Sequence, residues 1–134
     1  MHQLADSVMV EVTTVPIILE KLGWDRINLL KIDIEGYESE ALESMFETDI
    51  LESRVKQLAF EMHLQQNSYT TIGMHRRWTI MKRLEDIGFK RWYSHLNPAS
   101  TFSFNGEMRS CCYEMVYINT AFLTEAPSNG SSLH

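Results

Sequence analysis

Two carboxylates and a glycine directly follow an apolar stretch in the first third of the chain. Asp33 and Glu35 alternate with Ile34, and Gly36 comes next. Side chains alternate along a strand, so Asp33 and Glu35 share one orientation with Lys31. Charged groups at the end of a buried strand cost free energy unless they are solvated, paired or bound to a ligand. The pattern therefore predicts a functional edge of an α/β sheet.

A second polar pair ends the next apolar stretch. Glu61 and His63 are also two residues apart, and they too share an orientation. If the two stretches are neighbouring parallel strands, their carboxyl ends lie ~5 Å apart. Ligands of open α/β sheets bind beyond those ends. We therefore predict that Asp33, Glu35, Glu61 and His63 converge on one site.

Simpler roles for these residues stay open. Glu35 can cap the next helix, Asp33 can pair with Lys31, and polar groups at strand ends often only contact water. Gly36 lacks a Cβ atom, so it can serve a turn or a close ligand approach. Carboxylates suit Mg²⁺, and a mixed set with imidazole suits Mn²⁺ or Zn²⁺. Because no ligand spacing here is diagnostic, we assign no metal.

Hydrophobic periodicity indicates the elements that position these groups. The order strand, helix, strand, helix, strand, helix, strand, strand favours a mostly parallel sheet with flanking helices. The last two strands have no crossover helix between them, so we expect an antiparallel pair around a loop at 97–110. The predicted strands are 8–12, 27–34, 55–64, 89–96 and 112–118, and the helices are 17–22, a segment starting near Glu35, and a longer one that Gly88 ends.

The middle helix has an apolar side and an acidic side. Tyr37, Ala41 and Met45 recur at i, i+4 and should face the core. Acidic residues early in a helix also suit the positive end of its dipole. The positions predicted to face outward are Glu38, Glu40, Glu43 and Glu47.

The composition of the 134-residue chain excludes several classes of protein. With 18 Asp and Glu against 12 Lys and Arg, and no basic run among aromatics, nucleic acid is not an expected partner. No apolar run approaches the ~20 residues of a membrane-spanning helix, and no targeting signal is evident, so the chain as written is expected to be soluble, in an unknown compartment. The adjacency of Cys111 and Cys112 disfavours a mutual disulfide.

Four segments together resemble a known family in order and spacing. They are LLKIDIEGYE at 29–38, QLAFEMH at 57–63, LEDIGF at 84–89 and CCYE at 111–114. The first is fairly specific, and it looks like the central motif of FkbM-type methyltransferases and related methyltransferase-like proteins. The resemblance covers roughly residues 8–119.

The resemblance implies a Rossmann-like class I methyltransferase sheet that uses S-adenosylmethionine, commonly for O-methylation of a small-molecule or glycan acceptor. By position, Asp33 would end the fourth strand and face the donor methyl or the acceptor, with Gly36 also at the cofactor. Glu35 would lie beside Asp33, and Glu61 and His63 would lie across the cleft. Asp33 or His63 would then act as a general base.

The family's glycine-rich cofactor loop has no counterpart here. No two of the six glycines are close enough to form G-x-G. We therefore expect residues 1–125 to be the acceptor-side half of a truncated domain, followed by a disordered tail at 126–134. The family's first strand would lie beside the motif strand, so its absence would expose an edge that favours self-association.

Three functions follow from these observations. The leading one is methyl transfer, and the alternative is a non-catalytic methyltransferase-like interaction module. A second alternative is a metal-binding hydrolase that uses the four converging residues.

Overall fold

The computed structural model of the chain describes residues 12–64 and 70–123. These residues form a mixed α/β structure with one four-stranded sheet and a separate two-stranded hairpin. The helices are α1 (Val15–Leu22), α2 (Glu38–Phe46), α3 (Ile50–Arg54) and α4 (Thr71–Asp86), with a final 3-10 turn at Thr120–Phe122. The strands are β1 (Leu30–Ile32), β2 (Gln57–His63), β3 (Phe89–Leu96), β4 (Thr101–Phe104), β5 (Glu107–Ser110) and β6 (Cys112–Asn119).

The order of the four-stranded sheet is β1-β2-β6-β3. β1 and β2 are parallel, whereas β6 is antiparallel to both β2 and β3. The predicted antiparallel pairing of the last two long strands is confirmed. The prediction of a mostly parallel sheet is wrong for the described strands, because β6 returns from β3 without a crossover helix and inserts next to β2, where it opposes both neighbours.

Several predicted boundaries change in the structure. The strand expected at 27–34 is only three residues long, since Ile27 makes an isolated bridge to Val55 and Ile34 enters a turn. The short helix α3 was not predicted, and the expected loop at 97–110 contains the hairpin of β4 and β5. The predicted strand at 8–12, apart from Val12, and the predicted tail at 126–134 lie outside the described residues.

The hydrophobic core lies between the sheet and the helices α2 and α4. Leu58 and Phe60 of β2 are buried, and the Phe60 ring stacks on Tyr117 of β6 with 5.8 Å between ring centroids. Leu42 of α2 and Leu84 of α4 are fully buried. α2 packs on β2 and on α4, and α4 also packs on β3. One face of the sheet is therefore covered by helices.

The carboxyl ends of β1 and β2 lie side by side. Ile32 is the register partner of Phe60, so the residues that follow Ile32 lie next to Glu61 and the residues after it. Glu61 and His63 alternate with the buried residues of β2 and are only partly buried. The sheet thus brings the two predicted polar pairs to one edge. In the described part of the chain, no helix is long and apolar enough to cross a membrane.

Candidate functional site

A tight turn connects β1 to α2. Glu35 and Gly36 have φ values of 55° and 105°, and the Tyr37 backbone N–H donates to the Ile34 carbonyl at 3.4 Å. Two successive positive φ values are the pattern of a type I′ turn. Glycine accepts this backbone readily, but a residue with a Cβ such as Glu35 is held there at a cost of ~1–2 kcal/mol. Contacts around the turn must compensate for that cost.

Glu38 supplies these contacts. It is only 2% exposed, so the prediction that it faces outward is wrong. Its Oε1 accepts hydrogen bonds from the backbone N–H groups of Ile34 and Gly36, each at 3.1 Å, and the Gly36 N–H also lies 3.1 Å from Oε2. Helical periodicity did not predict the burial of Glu38. The cause lies in the preceding turn, whose backbone N–H groups point at the first residue of α2.

The buried Glu38 carboxylate is ionised at neutral pH. Burial by itself raises the pKa of Glu38, but hydrogen bonds from the N–H groups of Gly36, of Glu38 itself and of Ile34, and from His63, outweigh burial and lower the pKa below its ordinary value. A negative charge near the N-terminus of α2 is also favoured by the helix dipole. The site therefore contains a fixed anion beneath its surface.

His63 is held by this anion. Its Nδ1 lies 2.9 Å from Glu38 Oε1, and since an ionised carboxylate can only accept, the Nδ1–H donates to it. Nε2 lies 3.4 Å from Glu35 Oε2. The His63 side chain is 11% exposed and that of Glu35 is 86% exposed. A buried carboxylate thus orients an imidazole whose other nitrogen faces the surface, as suits a base or a metal ligand.

The four predicted site residues meet at His63. Asp33, Glu35 and His63 each offer one ligand atom, and these atoms all lie within 4.8 Å of one another. Glu61 belongs to a second such set with His63 and Cys112. Among the described residues, the predicted four therefore form two overlapping groups that share His63.

Asp33 and Glu61 each have a further partner. Asp33 Oδ2 lies 3.3 Å from Lys31 Nζ, an exposed ion pair of the kind that the simpler interpretation allowed. Glu61 Oε1 accepts a hydrogen bond from Asn97 Nδ2 at 3.3 Å. Both contacts lie at the surface or are partly buried, where water or a ligand can replace them.

Cys111 and Cys112 form a disulfide, so the expectation that their adjacency disfavours one is wrong. Side chains of neighbouring residues diverge in an extended strand, but Cys111 lies at a bend just before β6, and the bend brings both sulfurs to one side. Cys112 is 3% exposed and is the register partner of His63. The sequence pattern alone did not place this sulfur at the site.

A groove of about 530 Å³ runs beside β1. Its lining includes Asp33, Ile34 and Tyr37, together with residues 12–16. The volume is within the usual range of small-molecule sites. Asp33 thus lines the groove, whereas the Gly36 N–H is directed at Glu38.

A signal for Glu38 was available in the sequence. A carboxylate in the first helical turn, two residues after a glycine, can accept hydrogen bonds from the amide groups that precede the helix. Cys112 could have been found only from the pairing of β2 with β6, which no local pattern specifies.

Comparisons with known proteins agree with the motif. The family model of the methyltransferase FkbM domain matches residues 2–96. "Probable methyltransferase-like protein 24" of Homo sapiens and that of Rattus norvegicus are each 32% identical to the chain over 114 residues. Each alignment covers 77% of this chain but only 30% of the relative, so the chain spans less than a third of their length.

No solved structure matches the chain significantly. The stretch matched by the family model includes the turn at Glu35 and Gly36, the buried Glu38, and His63. Because the family model matches well over half of the residues of this chain, the chain belongs to the methyltransferase FkbM domain family.

Proposed function

We propose that the chain contributes the acceptor side of an S-adenosylmethionine-dependent methyltransferase that methylates a hydroxyl group of a small molecule or glycan. The observation that carries this proposal is His63, fixed by the buried Glu38 at the edge of the sheet in a chain of this family. The same proposal includes a Rossmann-like arrangement, in which the parallel pair of β1 and β2 is part of a larger class I sheet.

In this proposal His63 accepts the proton of the acceptor hydroxyl at Nε2 while the hydroxyl oxygen becomes methylated. Glu38 keeps the proton of the neutral ring on Nδ1, and the carboxylates of Glu38 and Glu35 both stabilise the positive charge that the ring then carries. An alcohol is hard to deprotonate, so correct positioning of the hydroxyl contributes much of the rate.

The groove beside β1 would hold the cofactor, with Asp33 in its lining and the Tyr37 ring available to stack on the base. When bound, S-adenosylmethionine supplies an electrophilic methyl group on a positively charged sulfur. Gly36 keeps the turn close to this groove, since its positive φ lets the chain reverse between β1 and α2.

The test has a binding part and an activity part. Calorimetric titration with S-adenosylmethionine is done on the chain alone and on the chain joined to the amino-terminal part of a methyltransferase-like relative. Activity is then measured as S-adenosylhomocysteine released with phenol and glycoside acceptors. His63→Ala should lower turnover by about 10²- to 10⁴-fold. His75→Ala, on the exposed side of α4, is the matched control and should leave turnover unchanged.

The outcomes separate the candidate functions. Absence of cofactor binding in the joined protein would reject methyl transfer and favour the non-catalytic interaction module. The hydrolase alternative is favoured by the set of Asp33, Glu35 and His63. It requires hydrolysis of an ester or phosphoester by the Mn²⁺-loaded or Zn²⁺-loaded chain, and metal-independent methyl transfer would remove it.

A further inference from the structure

We propose that reduction of the Cys111–Cys112 disulfide opens a Zn²⁺ site whose protein ligands are Cys112, His63 and Glu61. This site shares His63 with the proposed methyl transfer, but Glu61 and Cys112 have no part in that transfer and the chemistry is metal binding. It depends on the pairing of β2 with β6 and does not require cofactor binding.

The sheet fixes the positions of the three ligands. His63 and Cys112 are register partners on adjacent antiparallel strands, and Glu61 lies two residues before His63 on the same face. One ligand atom of each residue lies within 4.8 Å of the other two. Two ligands of a tetrahedral zinc ion are about 3.5 Å apart, by the usual zinc–nitrogen and zinc–sulfur distances. Side-chain movements of about 1 Å would therefore bring the three ligand atoms to the separations that zinc requires.

The charges around the site favour a cation. Glu61 lies directly opposite Glu114 of β6, and His95 of β3 is the next register partner on that face. Two like charges directly across a strand pair are destabilising. A bound divalent cation would relieve this repulsion while Glu61 acts as a ligand.

The disulfide controls whether the sulfur can bind. A sulfur in a disulfide is not a thiolate, and the thiolate is the form that binds metals. In the reduction, a dithiol donates two electrons and two protons, the Cys111–Cys112 bond breaks into two thiols, and the dithiol becomes a disulfide. Cys112 then releases its proton when Zn²⁺ binds. Thiolate, imidazole and carboxylate with a water in the fourth position are a ligand set that zinc accepts.

The adjacent cysteines provide matched variants. Cys111→Ser leaves Cys112 as a thiol that cannot form the disulfide, so it should bind one Zn²⁺ without any reductant. Cys112→Ser leaves Cys111 as the free thiol and should lose at least about 10- to 100-fold in affinity, the range that even changes outside the ligand shell produce. Binding is measured by calorimetric titration of the full chain with Zn²⁺.

A second readout identifies the sulfur ligand. Co²⁺ in place of Zn²⁺ should give a sulfur-to-cobalt charge-transfer absorption in Cys111→Ser and in the reduced wild-type chain, and none in the oxidised chain. Glu114→Gln removes a neighbouring charge but no ligand, so it should keep one-to-one binding. Circular dichroism confirms that each variant is folded.

The reduced wild-type chain keeps the proposal falsifiable if a variant does not fold. Failure of that chain to bind one Zn²⁺ would overturn the proposal. Equal affinity of the oxidised and reduced chains, or of Cys111→Ser and Cys112→Ser, would also overturn it.

Discussion

Replacement of the buried Glu38 by glutamine tests the central argument about the site. Glu38 accepts hydrogen bonds from two backbone N–H groups and from His63, and it is 2% exposed. Glutamine has nearly the same shape but no charge, and one of its two acceptor oxygens becomes an NH₂ group. That group would face the Gly36 N–H, which now contacts both oxygens.

The expected loss of stability follows from these contacts. A hydrogen bond to a charged group contributes about 1.5–3 kcal/mol and a neutral one about 0.5–1.5 kcal/mol, so three bonds lose about 3 kcal/mol. The neutral amide is less costly to bury than the carboxylate, which offsets part of this loss. We expect Glu38→Gln to lower the free energy of unfolding at pH 7 by about 1–3 kcal/mol.

The pH dependence of this loss provides a sign test. The pKa of Glu38 in the folded chain is lowered from 4.5. A carboxyl whose pKa is lowered by folding contributes stability above its unfolded pKa, and that contribution is lost as the pH falls through the folded pKa. The difference in the free energy of unfolding between wild type and Glu38→Gln should therefore be largest at pH 7 and should shrink below pH 4.5.

The assay is urea unfolding followed by the fluorescence of the three tryptophans at pH 7 and pH 4. Glu40→Gln is the matched control, since Glu40 lies in the same helical turn but is 52% exposed and pairs only at the surface with Arg76. Its effect should stay below about 1 kcal/mol. If Glu38→Gln is no more destabilising than Glu40→Gln, or if its effect grows at low pH, the reasoning about the buried anion is wrong.

Three further predictions concern the frame around the site. Asn119 is fully buried, and its Nδ2 lies within hydrogen-bond distance of three backbone carbonyls, so Asn119→Ala should cost about 2–4 kcal/mol in urea unfolding; a loss under 1 kcal/mol would contradict this. Gly88 ends α4 with φ 97°, a backbone conformation that costs a residue with a Cβ ~1–2 kcal/mol. Gly88→Ala should therefore lower the thermal midpoint, whereas Gly73→Ala inside α4 should not. Self-association through the edge of β1 should appear in sedimentation as concentration-dependent dimerisation that Ile34→Lys weakens; a monomer at all concentrations would rule it out.

The sequence predicted the local elements well where the apolar period is regular. α4 has a long apolar stripe and a terminating glycine, and its predicted end agrees with the structure. β3 and β6 were expected at almost their observed bounds. β1 was overestimated, because an apolar run does not show where the partner strand stops or where a turn begins.

The candidate site was predicted only in part, because local patterns placed some of its residues and not others. Asp33, Glu35, Glu61 and His63 were placed at one edge by strand alternation and by the pairing of consecutive strands, and the structure brings them into two groups around His63. Glu38 was missed, because helical periodicity describes which side of a helix faces the core and not what the preceding turn requires.

By itself, the sequence determined the family motif, the alternation of strands and helices, and the acidic ends of two strands, because each of these depends on residues close together in the chain. Only the tertiary structure decided the rest. The hydrogen bond of Glu38 to His63 and the approach of Cys112 to that ring depend on contacts between residues 25 or more positions apart. Such contacts follow from strand order and from burial of the whole core, and no local pattern contains them.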